Sequence, residues 1–181
     1  SPKHLFINIC ILGDARKKRV FTRTGARPGD QIFVTGTLGD SAMGFKLLMS
    51  GIKYSASSSH RRTLIQKHLE PIPRIKESNL LANSKLQVTS MIDLSDGLVQ
   101  DLSHLCATDK LGADLHETNL PFSQALISVC QQKGSNPTDL ILQGGEDYEL
   151  LFTIRQEDVR KLNRLFLKTD APVSHIGEIT K

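Results

Sequence analysis

The chain has 181 residues, 39% apolar and 23% charged, which suits one globular domain packed mainly by aliphatic side chains, since Trp is absent. A net charge of +4 permits an anionic ligand but is too mild to imply a nucleic-acid surface without a clustered patch. No apolar run reaches transmembrane length, and Cys10, Cys106 and Cys130 are scattered without zinc or C-x-x-C spacing, as in a reduced cytoplasmic protein.

Ser1-Pro2-Lys3-His4 is no signal peptide and reads as a cut inside a longer chain. Leu5 to Leu12 is apolar and Ile-rich, the composition of a strand, and Val20-Phe21-Thr22 is a short β-leaning piece. These two are expected to pair antiparallel, with the basic cluster Arg16-Lys17-Lys18-Arg19 at a solvated hairpin tip. Pro28-Gly29 marks a turn and Gln31 to Thr35 a strand. The Gly-rich loop Gly36-Thr37-Leu38-Gly39-Asp40-Ser41 opens a helix carrying Met43, Leu47 and Leu48. It has neither a P-loop nor a G-x-G-x-x-G pattern, so close backbone packing is the simpler account than phosphate binding.

His60 to Leu69 is amphipathic, with Leu64, Ile65 and Leu69 inward and both His60 and His68 at the surface. Pro71 and Pro73 separate it from a helix over Ile75 to Ala82. Gln87 to Ile92 is β-leaning, and Leu98, Leu102 and Leu105 share one helix face. Gly112 to Glu117 reads as a strand and Phe122 to Gln132 as a helix ended by Gly134. Leu140-Ile141-Leu142 then runs into Gly144-Gly145-Glu146-Asp147-Tyr148-Glu149-Leu150-Leu151-Phe152. There Tyr148, Leu150, Phe152 and Ile154 share one parity, with Glu146 at the strand's mouth. A helix over Gln156 to Leu167 and a strand over Val173 to Ile179 follow. The interleaving predicts an α/β domain of the mixed α+β kind, one mixed sheet with helices packed on it.

The turn Asp93-Leu94-Ser95-Asp96-Gly97 joins a strand to a helix. Ser95 is a natural N-cap, able to accept from Gly97 or Leu98. Two carboxylates on one tight turn repel unless a cation lies between them, and Mg²⁺ takes one or two carboxylates and completes its shell with water and phosphate. Spacing alone leaves two accounts open, capping and metal binding.

Four blocks stand in order: Arg23-Thr24-Gly25-Ala26-Arg27-Pro28-Gly29-Asp30, Val34-Thr35-Gly36-Thr37-Leu38-Gly39-Asp40, Asp93-Leu94-Ser95-Asp96-Gly97-Leu98, and Gly144 to Phe152. Together they resemble the C-terminal domain of the thiamine-monophosphate kinase family, over nearly the whole chain. The Asp-x-Ser-Asp-Gly block also resembles aminoimidazole ribonucleotide synthetase and selenophosphate synthetase. The resemblance implies a three-layer α/β/α domain, partly ferredoxin-like. It also implies Mg²⁺-assisted transfer of the ATP γ-phosphoryl group to thiamine monophosphate, with no catalytic side chain singled out. By the same resemblance Asp93 and Asp96 match Mg²⁺ ligands, Arg23 and Ser95 match ATP-contacting positions, and Glu146 matches a residue at the thiamine substrate. Asp147 and Tyr148 are read as structural.

The family's N-terminal domain, with its further aspartates and main dimer surface, is absent from residues 1–181. These are therefore expected to be the single C-terminal domain of a two-domain kinase, inactive alone and homodimeric when whole. A superfamily relative with another substrate is the alternative enzyme. A non-catalytic polyanion-binding module, using Arg16 to Arg19 with Arg61 and Arg62, is the alternative of another class.

Overall fold

A computed structural model describes residues 5–15, 20–56, 58–107, 110–167 and 169–181. Arg16 to Arg19, expected at a hairpin tip, lie outside them. The described residues form five strands, β1 (Gln31–Thr35), β2 (Val88–Asp93), β3 (Gly112–Leu115), β4 (Leu150–Ile154) and β5 (Val173–Thr180). Seven α-helices accompany them: α1 (Asp40–Met49), α2 (Ser59–Leu69), α3 (Ile75–Asn83), α4 (Leu98–Ala107), α5 (Gln124–Lys133), α6 (Pro137–Gln143) and α7 (Val159–Phe166).

The sheet order is β2-β4-β1-β5-β3, and every pairing is antiparallel rather than mixed. No two consecutive strands are neighbours. β1, β2 and β3 run the same way, as helical crossovers dictate, but β4 and β5 slot between them in the opposite sense. Interleaved strands and helices therefore do not report parallel pairing here.

The sheet separates two apolar cores, which makes the three-layer arrangement. Ile32, Val34 and Leu151 face the larger core with α1, α2, α4, α5 and α6. Phe33, Phe152 and Ile154 face the smaller one with Leu81 of α3 and Leu162 and Phe166 of α7. Phe33 and Phe152 are register partners and stack at 5.9 Å between ring centroids. The period-2 pattern thus divides each central strand between two cores.

Some expectations change, and one unassigned run is settled. Leu5 to Leu12 takes no strand conformation and lies outside the sheet, with Leu5, Phe6, Ile11 and Leu12 all exposed. A strand needs a ladder, and apolar content alone does not supply one. Val20 to Thr22 is likewise not a strand, but the Thr22 carbonyl accepts from Met91 N–H at 2.8 Å, so this segment runs beside β2. Leu140-Ile141-Leu142 is helical, within α6: Asn136 accepts from Thr138 N–H as N-cap and Pro137 occupies the first turn. On α2, Leu64 and Ile65 are buried as expected, but Leu69 is exposed and His68 turns inward.

One buried charge cluster ties the layers together ahead of β4. Glu149 is 1% exposed. It accepts from Thr35 Oγ1 at 2.7 Å and from Arg74 Nε and Nη2, both at 2.6 Å. Hydrogen bonding to Glu149 raises the Arg74 guanidinium pKa against the lowering effect of burial. Gly36 (φ 63°) lets the chain pass: a Cβ there would fall 2.1 Å from Glu149 Oε1.

Arg74→Met removes one partner of this pair and leaves Glu149 with Lys67 Nζ at 3.8 Å as its nearest cation. Destabilisation of about 3–5 kcal/mol is expected in urea unfolding. A loss under about 1 kcal/mol would show that the pair does not hold this junction.

Candidate functional site

β2 ends at Asp93 and α4 begins at Leu98, so Leu94 to Gly97 is a four-residue turn. Its backbone is braced from inside the helix. Asp101, itself 1% exposed, accepts from the amides of Ser95 and Asp96 at 3.0 Å and of Gly97 at 3.1 Å. A carboxylate facing three successive amides at a helix N-terminus is favoured by their summed partial charge. The Gly97 amide expected to bond Ser95 is thus taken by Asp101, reaching back from the first turn in the manner of a capping box.

Arg23, Asp93, Ser95 and Asp96 line one cleft of about 540 Å³. Arg23 comes from the segment beside β2, Asp93 from the end of β2 and the others from the turn, so four sequence-predicted residues meet there. Asp93 and Asp96 are exposed, and among the described residues neither is in a salt bridge. Glu146 is not in the lining of this cleft.

Sequence reasoning missed two residues of the cleft, Asp101 and His104. Among the described residues Asp96, Asp101 and His104 offer ligand atoms within 4.8 Å of one another. The available signal was the i, i+3 spacing of Asp101 and His104 on one face of α4. Asp93 is not in this group; with Asp96 it supplies exposed carboxylates to the same polar cleft, the kind of oxygen donor a hard divalent cation takes. Asp101 fits less well as a ligand, because Oδ2 already serves three amides.

The loop 144–149 lies against this turn. Leu94 N–H donates to the Glu149 carbonyl (2.8 Å), Tyr148 N–H to Leu94 (2.9 Å) and Glu146 N–H to Ser95 (2.9 Å). These bonds continue the β2–β4 ladder, in which Asp93 faces Leu150. A Cβ at Gly145 would lie 2.4 Å from the Ser95 carbonyl oxygen, so the approach requires glycine. The strand does not reach Glu146, contrary to the parity reading. β4 starts at Leu150, and Glu146 (φ 65°) and Tyr148 (φ 50°) are left-handed. Such conformations cost energy in non-glycine residues and gather at functional sites.

The loop's three acids part company. Glu149 is buried with Arg74. Asp147 accepts from Gly39 N–H at 2.7 Å and Ser41 N–H at 3.2 Å, so it caps α1 across the chain. The Gly-rich loop's amides are therefore used internally, as close packing predicts and phosphate binding does not. Burial raises the Asp147 pKa to about 7; the two amides oppose this, and the charges of Asp40 and Glu149 reinforce it. Glu146 keeps a side chain 56% exposed, with Oε2 at 3.3 Å from His68 Nδ1.

The family described as AIR synthase related protein, C-terminal domain, matches residues 27–181. The thiamine-monophosphate kinase of Buchnera aphidicola subsp. Acyrthosiphon pisum is 39% identical over 176 residues, 97% of this chain and 53% of that protein. That of Escherichia coli (strain K12) is 38% identical over 97% of this chain and 52% of its own length. The chain spans about half the length of these curated relatives. Among solved structures, thiamine-monophosphate kinase from Stenotrophomonas maltophilia K279a superposes with a TM-score of 0.80 at 32% identity, covering 89% of this chain and 50% of that one. AaThiL complexed with AMPPCP and TMP gives 0.77 at 35% identity, with 89% and 48% covered.

Between its ordinary value of 3.8 and about 7, Asp147 is protonated in the folded chain and ionised in the unfolded one. The folded state then binds more protons, so stability falls as pH rises through this window. Asp147→Asn should flatten that decline, measured as unfolding free energy at intervals between about pH 4 and 8. An unchanged slope would assign the decline to other groups.

Proposed function

The chain belongs to the AIR synthase related protein family through its C-terminal domain, and from that membership we propose that it is the C-terminal half of a thiamine-monophosphate kinase. The reaction is transfer of the ATP γ-phosphoryl group to the phosphate of thiamine monophosphate, in the cytoplasm. The observation that carries this reading is the shared cleft: Arg23, Asp93, Ser95 and Asp96 converge there from separate parts of the sequence. Relatives named for this reaction and a neighbour complexed with AMPPCP and TMP support it.

Each residue has a role suited to its chemistry. Two phosphate-bearing substrates repel, so the site must place positive charge between them. Arg23 offers a fixed guanidinium fork to the nucleotide's phosphates. Ser95, on a turn braced by Asp101, contacts the same nucleotide. Asp93 and Asp96 would hold Mg²⁺, which when bound neutralises phosphate charge. Glu146 presents a carboxylate to the cationic end of thiamine. The protein's work is positioning and charge neutralisation, and no side chain need form a covalent bond.

This chain supplies the cleft wall that carries Arg23, Asp93, Ser95 and Asp96. The reading assigns the opposite wall, with further carboxylates, to an N-terminal half of the same enzyme, and a homodimer to the whole. Residues 1–181 alone are then inactive, and activity appears when both halves are present.

In the two-domain enzyme, Asp93→Asn and Asp96→Asn should each lower turnover by at least about 100-fold at saturating substrate, with unfolding midpoints near the parent's. Steady-state assay of thiamine diphosphate formation reads this directly. Near-normal turnover in both variants would refute the metal assignment.

A further inference from the structure

His68 was expected at the surface, yet its side chain is 17% exposed and faces two oxygens. Nδ1 lies 3.0 Å from Ser41 Oγ and 3.3 Å from Glu146 Oε2. The ring also packs on Phe45, with centroids 5.3 Å apart. Ser41 and Phe45 are four residues apart on α1, so one helix face supplies both the hydroxyl and the aromatic wall that fix the imidazole of α2.

One nitrogen cannot serve both oxygens alike. With hydrogen on Nδ1, it donates to the Glu146 carboxylate. Without it, Nδ1 accepts from the Ser41 hydroxyl and turns a lone pair toward a negative oxygen. The tautomer therefore decides whether Glu146 is held. Glu146 needs holding: it is the exposed acid of the loop, on a left-handed backbone, while Asp147 and Glu149 are anchored elsewhere. A free glutamate must be ordered when a ligand binds, and that ordering weakens binding.

We propose that His68, as the neutral Nδ1–H tautomer, is the positioning residue for Glu146, orienting its carboxylate toward the cationic ring of the substrate. The proposal rests on the reading of Glu146 as the thiamine contact. A neutral donor suits this role. It fixes the carboxylate and leaves its negative charge to the ligand, where an imidazolium would compete with it. Phe45 packs against the ring, and Glu146 alone touches substrate.

The test uses the two-domain enzyme with thiamine monophosphate and ATP varied separately. His68→Ala should raise KM for thiamine monophosphate about three- to tenfold, leaving kcat and KM for ATP near the parent's. His68→Asn, whose amide N–H takes the place of Nδ1–H, should restore most of the affinity. His68→Gln, which donates from the Nε2 position, should not. In a Glu146→Gln background His68→Ala should add little, since the two act as a unit. Additive effects, a loss confined to kcat, or Asn and Gln behaving alike would overturn the proposal. The Asn and Gln pair carries the test even if the alanine variant fails to fold. A Glu146→Gln enzyme with unchanged KM would instead sink the substrate assignment of Glu146, and the role of His68 with it.

Discussion

Three backbone hydrogen bonds join the turn after β2 to the loop before β4, and everything at the site depends on them. They prolong a ladder beyond the strands that began it, along a loop that carries three acids. Left-handed geometry at Glu146 and Tyr148 ends the alternation of a strand. Successive side chains are therefore free to leave in different directions, while the main chain stays bonded. Gly145 makes the contact sterically possible, and Glu149 anchors it to α3 through Arg74. Lost closeness here would move Asp93 and Asp96 relative to Glu146, although the side chains of these three take no part in the joint.

The loop solves an electrostatic problem by dispersal. Three carboxylates within four residues would repel strongly if they shared one environment. One is paired with a buried bidentate guanidinium, one accepts from the amides at a helix start, and one stands in solvent beside a histidine. Each solution draws on a different element, so the cluster stitches α1, α2 and α3 to the start of β4. A stretch that reads as a single motif is three separate anchors in space.

Much of this was legible in the sequence, for identifiable reasons. Helix faces showed through because burial in them is periodic, as at Leu98, Leu102 and Leu105. The Asp93–Asp96 turn was found because two acids on one tight turn are unusual, Arg23 because its block resembles the family's, and the fold gathers them at one cleft. Asp101 escaped because a brace reaching backward from inside a helix looks like any polar residue in a first turn. His68 escaped because its partners are 27 and 78 positions away, and no local pattern marks such a contact. Leu140 to Leu142 stayed unassigned because a short apolar run has no period; Asn136 and Pro137 decide it as helix. The antiparallel sheet was hidden because strand order is a long-range property that no single segment records.

The run from Leu5 to Leu12 carries no charge and no proline, and most of its large side chains stand in solvent. That is the composition of a segment prone to stack on copies of itself. Encounters between two such segments are then a route to association that the firmness of the core does not control. Dilution, or a lysine introduced at Ile7 or Ile9, would extend its shelf life without touching the cleft.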